Sequence, residues 1–435
     1  MPRTVTKLLE PLPGIRTLVS AADRTIKISV SPDKADLPAA RAFLYRALNA
    51  YENKFTVLIE GVPFCFLPDA YDHILPPRRS GKNVFPAICK KCRLRPVCPV
   101  LRPGPVLSGA AQLLRPVLAT PNELVIEVNR RCNLACAVCS ARGLEEELSF
   151  GAMQAHMRKA RRLGIKDIRF TGGEPFLHPR IVKTLAAAKK AGFHVLVNTN
   201  ATLLSPALIE RIAPLTDNIL VSLQGRDERS EAEATGTPGL FTKKLANIRA
   251  LRRAGIPVLR LGTVISGDLL ENFEKYLRLA KELDADIWEL YRPMLSAGKG
   301  PAETVTPAAL RRLARRLEAG LGGRPRVLFA NPLPLCVFKK SQAPLFLGAR
   351  FDDGHTRLVL DPRGFYKPSY YIQENLGTDL LAAWNGRFLK KMRALAYLGK
   401  KCSNCPLRLR CLGGSRFLAR AVRGSYFKPD PWLAG

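Results

Sequence analysis

Histidine is scarce in this chain, five in 435 residues, and acidic residues are outnumbered, 36 Asp and Glu against 69 Lys and Arg. No run of 18 or more apolar residues occurs, so no membrane-spanning helix is expected. The opening Met1-Pro2-Arg3-Thr4-Val5 lacks the apolar block and small-residue cleavage site of a signal peptide, which predicts a cytoplasmic protein. No His-x-Glu metal motif and no Walker-type glycine loop is found, which removes the commonest zinc-hydrolase and nucleotide-hydrolase readings. No RRM or KH signature accompanies the basic excess.

The formal charge of +33 favours a polyanionic, acidic or membrane-surface partner. The excess is diffuse, however, and Arg158-Lys159-Arg161-Arg162, Arg311-Arg312-Arg315-Arg316 and Lys390-Lys391 read as polar faces of helices. A length of 435 residues exceeds what one core needs and suggests two or three domains.

Cysteine is present in quantity and in groups. The 11 residues fall into Cys65, Cys89, Cys92 and Cys98; Cys132, Cys136 and Cys139; and Cys336, Cys402, Cys405 and Cys411, with none left over. In a cytoplasmic protein such groups serve metal binding better than disulfides.

Between about 120 and 295, short apolar runs at 124–128, 168–170, 194–197, 219–223, 257–264 and 287–291 alternate with helical spacings such as Met153, Met157, Ala160 and Leu245, Ile248, Leu251. Ser205-Pro206 reads as a helix start, and Gly192 and Gly255 as helix stops. Six strand-helix units predict parallel strands joined by right-handed crossovers, with chemistry at their C-terminal ends.

The flanks echo one another. Residues 41–65 (RAFLYRALNAYENKFTVLIEGVPFC) and 311–336 (RRLARRLEAGLGGRPRVLFANPLPLC) each suggest helix, turn, strand and Pro-x-Cys, and each is followed by Cys-x2-Cys-x5-Cys, CKKCRLRPVC and CSNCPLRLRC. Two related four-cysteine modules therefore bracket the central region. Proline-rich and basic linkers at 76–83 and 99–121 mark the first boundary.

Cys132-Asn-Leu-Ala-Cys136-Ala-Val-Cys139 places three thiols on one loop directly after a strand. Three thiolates can hold three corners of a [4Fe-4S] cube and leave one iron open, although zinc with a distant fourth ligand or a buried thiol group uses the same residues. The next strand ends in Thr171-Gly172-Gly173-Glu174-Pro175, whose glycines allow close backbone approach to a ligand or simply a tight turn.

CNLACAVC with TGGEP resembles the radical SAM (S-adenosylmethionine) superfamily, and CSNCPLRLRCLGG resembles its SPASM or twitch-type auxiliary-cluster extension, over about residues 120–415. The resemblance implies an α/β fold, a partial (β/α)6 TIM-like barrel flanked by small cysteine-rich iron-sulfur modules. It divides the chain into 1–118, an N-terminal four-cysteine module; 119–300, the radical SAM core; and 301–435, the SPASM/twitch-like domain. It implies SAM cleaved reductively to a 5'-deoxyadenosyl radical, oxygen-sensitive activity, a reductant such as flavodoxin or ferredoxin, and frequent action on peptides or proteins.

By the same resemblance, Cys132, Cys136 and Cys139 would bind the SAM cluster, and Gly172, Gly173 and Glu174 would surround the SAM amino group. Asn200 would match the strand-end Thr-Asn position, Ser222 and Gln224 would lie along the ribose side, and Val264 would offer backbone contacts to adenine. Asn200 and Ser222 read equally well as local turn or cap residues. Val138 departs from the aromatic residue that members often carry before the third cysteine. Ser369 stands where fuller SPASM domains have a further cysteine, so one C-terminal cluster, on Cys336, Cys402, Cys405 and Cys411, is expected rather than two. Cys65, Cys89, Cys92 and Cys98 would hold a second auxiliary cluster or zinc.

His178, after the glycine loop, is the best histidine candidate for the pocket; Tyr291 and Arg292 could meet SAM or substrate, or merely cap the barrel. The expected function is peptide or protein modification by crosslinking, epimerisation or oxidation. RNA modification is the second enzymatic option. A non-catalytic electron carrier or a zinc-stabilised interaction protein would leave the open thiol loop and the glycine loop without a purpose.

Overall fold

The computed structural model describes residues 12–75, 87–98, 113–139, 145–294 and 305–433. The linker segments 76–83 and 99–112 and the expected boundary near 300 lie outside these residues. Among the described residues, no helix is long and apolar enough to cross a membrane.

All six central strands form: β4 (Glu123–Glu127), β5 (Asp167–Thr171), β6 (His194–Thr199), β7 (Asn218–Ser222), β8 (Val258–Val264) and β9 (Ile287–Tyr291). Each pairs in parallel with the next, as the alternation of apolar runs and helical spacings requires. The sheet then extends beyond the expected six. At one edge β10 (Arg326–Phe329) adds in parallel to β9; at the other, β11 (Arg357–Leu360) pairs in parallel with β4 and turns back as β12 (Tyr366–Lys367). The C-terminal region therefore contributes both outer edges of a nine-stranded sheet.

Local chemistry fixes the connections. Ser149 caps the helix Phe150–Arg162 (α2), and Ser205 caps Pro206–Ile212 (α4), with proline in its first turn. Between them runs α3 (Ile181–Lys190), followed by Gly192 at a φ of 77°. Asp227 and Ser230 make reciprocal caps on α5 (Glu228–Thr235), and Gly255 follows α6 (Phe241–Arg253) at a φ of 78°. Ser266 caps α7 (Gly267–Glu282). Ahead of the barrel, β1 (Ile15–Ser20), β2 (Thr25–Val30), α1 (Leu37–Tyr51) and β3 (Thr56–Glu60) form a separate three-stranded unit, in which β2 pairs antiparallel to β1 and parallel to β3.

The basic excess divides in two. The expected polar faces are exposed on α2, on α8 (Pro307–Glu318) and on α10 (Arg387–Arg393). Many other cations are buried and committed. Arg169 bonds Glu123 and Arg260 bonds Glu289 inside the barrel. Arg393 donates to the carbonyls of Gly354 and Trp384 and stacks on the Trp384 ring, and Arg416 caps the carbonyls of Gly413 and Lys428. Formal charge thus overstates what the surface offers a polyanion.

Where β4, β11 and β12 meet, Arg130 and Lys367 are buried with Glu127 and Asp361. The Lys367 ammonium is 2.9 Å from Glu127 and 3.4 Å from Asp361, which also pairs with Arg130 and Arg363. Burial alone would raise the Asp361 carboxyl; Arg363, Arg130 and Lys367 outweigh it and hold the group down at about 2. Its stabilising effect is therefore complete above the ordinary carboxylate range and is lost as pH falls toward 2. Asp361→Asn leaves two buried cations sharing Glu127 and is expected to destabilise the protein by about 3 kcal/mol or more at neutral pH; urea unfolding of the variant beside the parent measures it.

Candidate radical SAM site

The three-cysteine loop leaves β4 and is seated against the loop that leaves β5. Beyond the strands, the Gly173 N–H donates to the Asn129 carbonyl at 2.9 Å and the Glu174 N–H to the Arg131 carbonyl at 2.8 Å. This contact requires the paired glycines. A Cβ on Gly172, at a φ of 149°, would lie 2.3 Å from the Asn129 oxygen, and one on Gly173 would lie 2.1 Å from the Arg131 oxygen. The sequence reading left the glycines to the approach of a ligand or to a tight turn; their bare faces meet the backbone that leads into Cys132.

Glu174 is fully buried. Its Oε1 accepts from the Phe176 N–H and the Thr199 hydroxyl and its Oε2 from the Asn200 N–H, so it braces the end of β5 to the end of β6. Burial pushes its carboxyl up to about 7 in spite of those three donors. The Asn200 amide donates to Asn133 Oδ1 at 2.9 Å and lies 3.8 Å from Cys132 Sγ, while its own oxygen accepts from Thr202. The turn-residue reading of Asn200 holds, and the same side chain also reaches the cysteine loop.

Further along the loop, the Ala135 N–H donates to the Thr235 carbonyl at 2.9 Å, tying the thiols to the end of α5. Gly236 follows in a left-handed conformation, and a Cβ there would lie 2.8 Å from the Ala135 oxygen. Cys132 and Cys139 are exposed and Cys136 is half-buried. Desolvation raises the Cys136 thiol to about 11, helped by Cys139 and Cys132 and opposed by Lys244. Desolvation also raises Cys132, against an N–H from Leu134 3.4 Å from its sulfur. Such thiols stay protonated until a metal displaces the protons.

Ser222, Gln224 and Val264 are brought together at the neighbouring strand ends. The Gln224 amide donates to Ser222 Oγ at 2.6 Å and accepts from the Val264 N–H at 2.8 Å, so it clips β7 to β8. Beneath it a buried Lys244–Glu231 pair holds the turn: Glu231 accepts from the N–H groups of Gln224 and Gly225, and Lys244 donates to the Ser222 carbonyl. The side chains and the N–H expected along the ribose and adenine are thus already joined to one another.

Other expectations resolve as structural. His178 is bonded through both ring nitrogens, to the Leu148 carbonyl at 2.9 Å and the Arg180 N–H at 3.1 Å, which fixes its ring among backbone groups. Tyr291 is committed to Glu289, and Arg292 pairs with buried Asp430 and stacks on Trp432 at 3.6 Å. Two features escaped the sequence reading. Arg130, two residues before Cys132, is anchored by the β11–β12 hairpin, and Tyr371 lies close enough for the Cys139 charge to raise its phenol, after burial and Asp352. The Asp361-Pro-Arg-Gly364 turn was the available signal for the hairpin; nothing local marks Tyr371 as a neighbour of Cys139.

Residues 126–280 match the radical SAM superfamily. This region is a radical SAM domain, so the chain is an enzyme whose cofactors are a [4Fe-4S] cluster and SAM. It is 29% identical over 337 residues to an AdoMet-dependent heme synthase of Methanosarcina barkeri, a match spanning 72% of this chain and 96% of that protein. It is 27% identical over 332 residues to a PqqA peptide cyclase of Ruegeria pomeroyi, spanning 72% and 86%. The fold is similar to that of Streptococcus suis SuiB bound to S-adenosylmethionine, with a TM-score of 0.57 at 20% identity over 72% of this chain and 77% of that one. It is also similar to anSMEcpe with bound AdoMet and a peptide, with a TM-score of 0.56 at 15% identity over 71% and 92%.

The seating of the thiol loop is directly testable. Gly173→Ala should drive the Arg131 carbonyl away and lower SAM cleavage about tenfold or more, each tenfold being about 1.4 kcal/mol. Gly151→Ala, on α2 where an added Cβ meets nothing within 4 Å and the backbone is helical, is the control and should cleave SAM like the parent. Formation of 5'-deoxyadenosine under anaerobic reduction is the measurement.

Proposed function

We propose that Cys132, Cys136 and Cys139 hold the SAM-binding cluster and that the enzyme modifies a peptide or protein. The observation that carries the assignment is the seating of one three-thiol loop on the glycine loop of β5 and on Asn200. Three ligands from one segment suit a cube with one iron left for the amino and carboxylate groups of SAM. When bound, that pair of cofactors supplies one-electron cleavage of the sulfonium C5'–S bond, giving methionine and a carbon radical able to take hydrogen from substrate.

The chain's own groups orient and tune. The N–H of Leu134 and the amide of Asn200 face the Cys132 sulfur, where they favour the thiolate. Gly172, Gly173 and Glu174 bring the β5 loop beside the thiols, and Gln224 fixes the spacing of β7 and β8. The electron that a substrate radical gives up on net oxidation has an acceptor in a C-terminal cluster on Cys336, Cys402, Cys405 and Cys411. There the Leu335 N–H already points at Cys411 Sγ from 3.4 Å, and Gly414 allows Asp430 to pack beside the loop after Cys411.

The peptide reading is supported by the PqqA peptide cyclase relative. A second reading, action on a tetrapyrrole, is favoured by the heme synthase relative, which matches over the same share of this chain. An external flavodoxin or ferredoxin would supply the electron to the SAM cluster.

Two outcomes are expected. Cys132→Ala/Cys136→Ala/Cys139→Ala abolishes 5'-deoxyadenosine formation while leaving the auxiliary iron in place, as anaerobic iron counting and product chromatography would show. Short peptides from neighbouring reading frames raise 5'-deoxyadenosine above the uncoupled level and change mass, whereas iron porphyrin precursors do not; stimulation by the porphyrins alone would move the assignment to the second reading.

A further inference from the structure

The four cysteines ahead of the barrel lie outside the region matched by the superfamily. We propose that Cys65, Cys89, Cys92 and Cys98 hold a [4Fe-4S] cluster of their own, in a site that duplicates the plan of the C-terminal one. This goes beyond the reading of the SAM site and holds whatever the substrate is.

The sequence echo is a structural one. In the first module α1 leads to β3 and then to a single 3-10 turn, Phe64–Phe66, with Cys65 at its centre. In the second, α8 leads to β10 and to the turn Leu335–Val337, with Cys336 at its centre. After each turn the chain comes back to its strand through a parallel bridge, Ile59 with Ile74 and Phe329 with Phe346. The bridges are followed by matching bonds, from the Leu75 N–H to the Ile59 carbonyl and from the Leu347 N–H to the Phe329 carbonyl. The Cys-x2-Cys segments then fold alike, the Cys92 N–H reaching the Cys89 carbonyl at 3.2 Å and the Cys405 N–H the Cys402 carbonyl at 3.1 Å.

The correspondence extends to the sulfurs. The residue before the first cysteine directs its N–H at the last: Leu335 at Cys411, and Phe64 at Cys98. Backbone N–H groups aimed at ligating sulfur are among the contacts that set the potential of an iron-sulfur cluster. A bond repeated at equivalent positions 271–313 residues apart in the chain is not required by either local turn.

The four N-terminal thiols border a common cavity, with Ile88 and Pro116 as apolar walls and Arg95 at its side. Four thiols around one cavity are a ready ligand set for a cationic metal core, which displaces their protons on binding. The plan shared with the C-terminal site and the apolar walls around the four sulfurs suit a cube, while zinc, with Zn–S near 2.3 Å, is the competitor that metal counting separates.

The modules are also in contact. The turn Tyr71–His73 packs on the helix Arg408–Cys411 (α12), and Asp72 pairs with Arg350 across the junction. Burial of Asp72 is outweighed by Arg350 and by His73 and Arg410, which hold its carboxyl below the usual range. The two modules therefore pack against each other through this turn.

Anaerobically purified full-length protein should contain about 12 iron and 12 acid-labile sulfide per chain, the content of three cubes. Cys89→Ala/Cys92→Ala should remove about four of each. The Cys132→Ala/Cys136→Ala/Cys139→Ala variant, assayed in parallel, should retain the N-terminal four, so a failed SAM-site assignment and a failed N-terminal one give different losses. One zinc per chain that disappears with Cys89 and Cys92 would overturn the proposal, as would iron unchanged by their removal. Should the double variant not fold, native mass spectrometry of the parent decides the matter: three clusters support the site and two refute it.

Discussion

The chemistry of this enzyme rests on a backbone-to-backbone contact. Two carbonyls immediately before Cys132 occupy the space where side chains at Gly172 and Gly173 would be, and only residues without a Cβ tolerate that approach. The parallel pairing of β4 with β5 is thereby carried past the strand ends and into the thiol loop. Because the loop is fastened again at Thr235 and faces Asn200, two successive strand ends and the end of α5 determine where its sulfurs stand.

Buried charge does a second share of the positioning. Glu231 and Lys244 hold the turn after β7, and Arg130 and Lys367 are neutralised by Glu127 and Asp361 beside the cysteine loop. Ion pairs of this kind contribute little net stability compared with apolar packing, but losing one partner is costly. They favour one arrangement of the strand ends over its alternatives, which is what a site assembled from several loops needs. The same pairs explain why a chain with such a large basic excess does not present it all at the surface.

Much of this was legible in the sequence. The six strands declared themselves as apolar runs separated by helical periods, Ser205-Pro206 and the glycines at 192 and 255 act as punctuation, and the three cysteine groups were visible by spacing. The long-range consequences were not. Attachment of β10, β11 and β12 to the barrel edges depends on pairings across the chain, and a two-residue strand such as Tyr366–Lys367 carries no period. Gly172 and Gly173 were recognised as permissive, but what fills the permitted space is set by Asn129 and Arg131, some 40 residues earlier. Side-chain roles such as those of Glu174, His178 and Gln224 depend on partners that local reading cannot name.

The Asp72–Arg350 junction bears on how the molecule could be shortened. Residues far apart in the polypeptide share an ion pair whose carboxylate is buried, with Arg410 adding its charge to the same neighbourhood. Cutting away the first module to isolate a minimal barrel would leave guanidinium groups in an apolar seam without their counter-ion. The leading segment thus belongs to the foundation of the trailing one, and the catalytic middle is held in a clasp whose halves flank it along the chain.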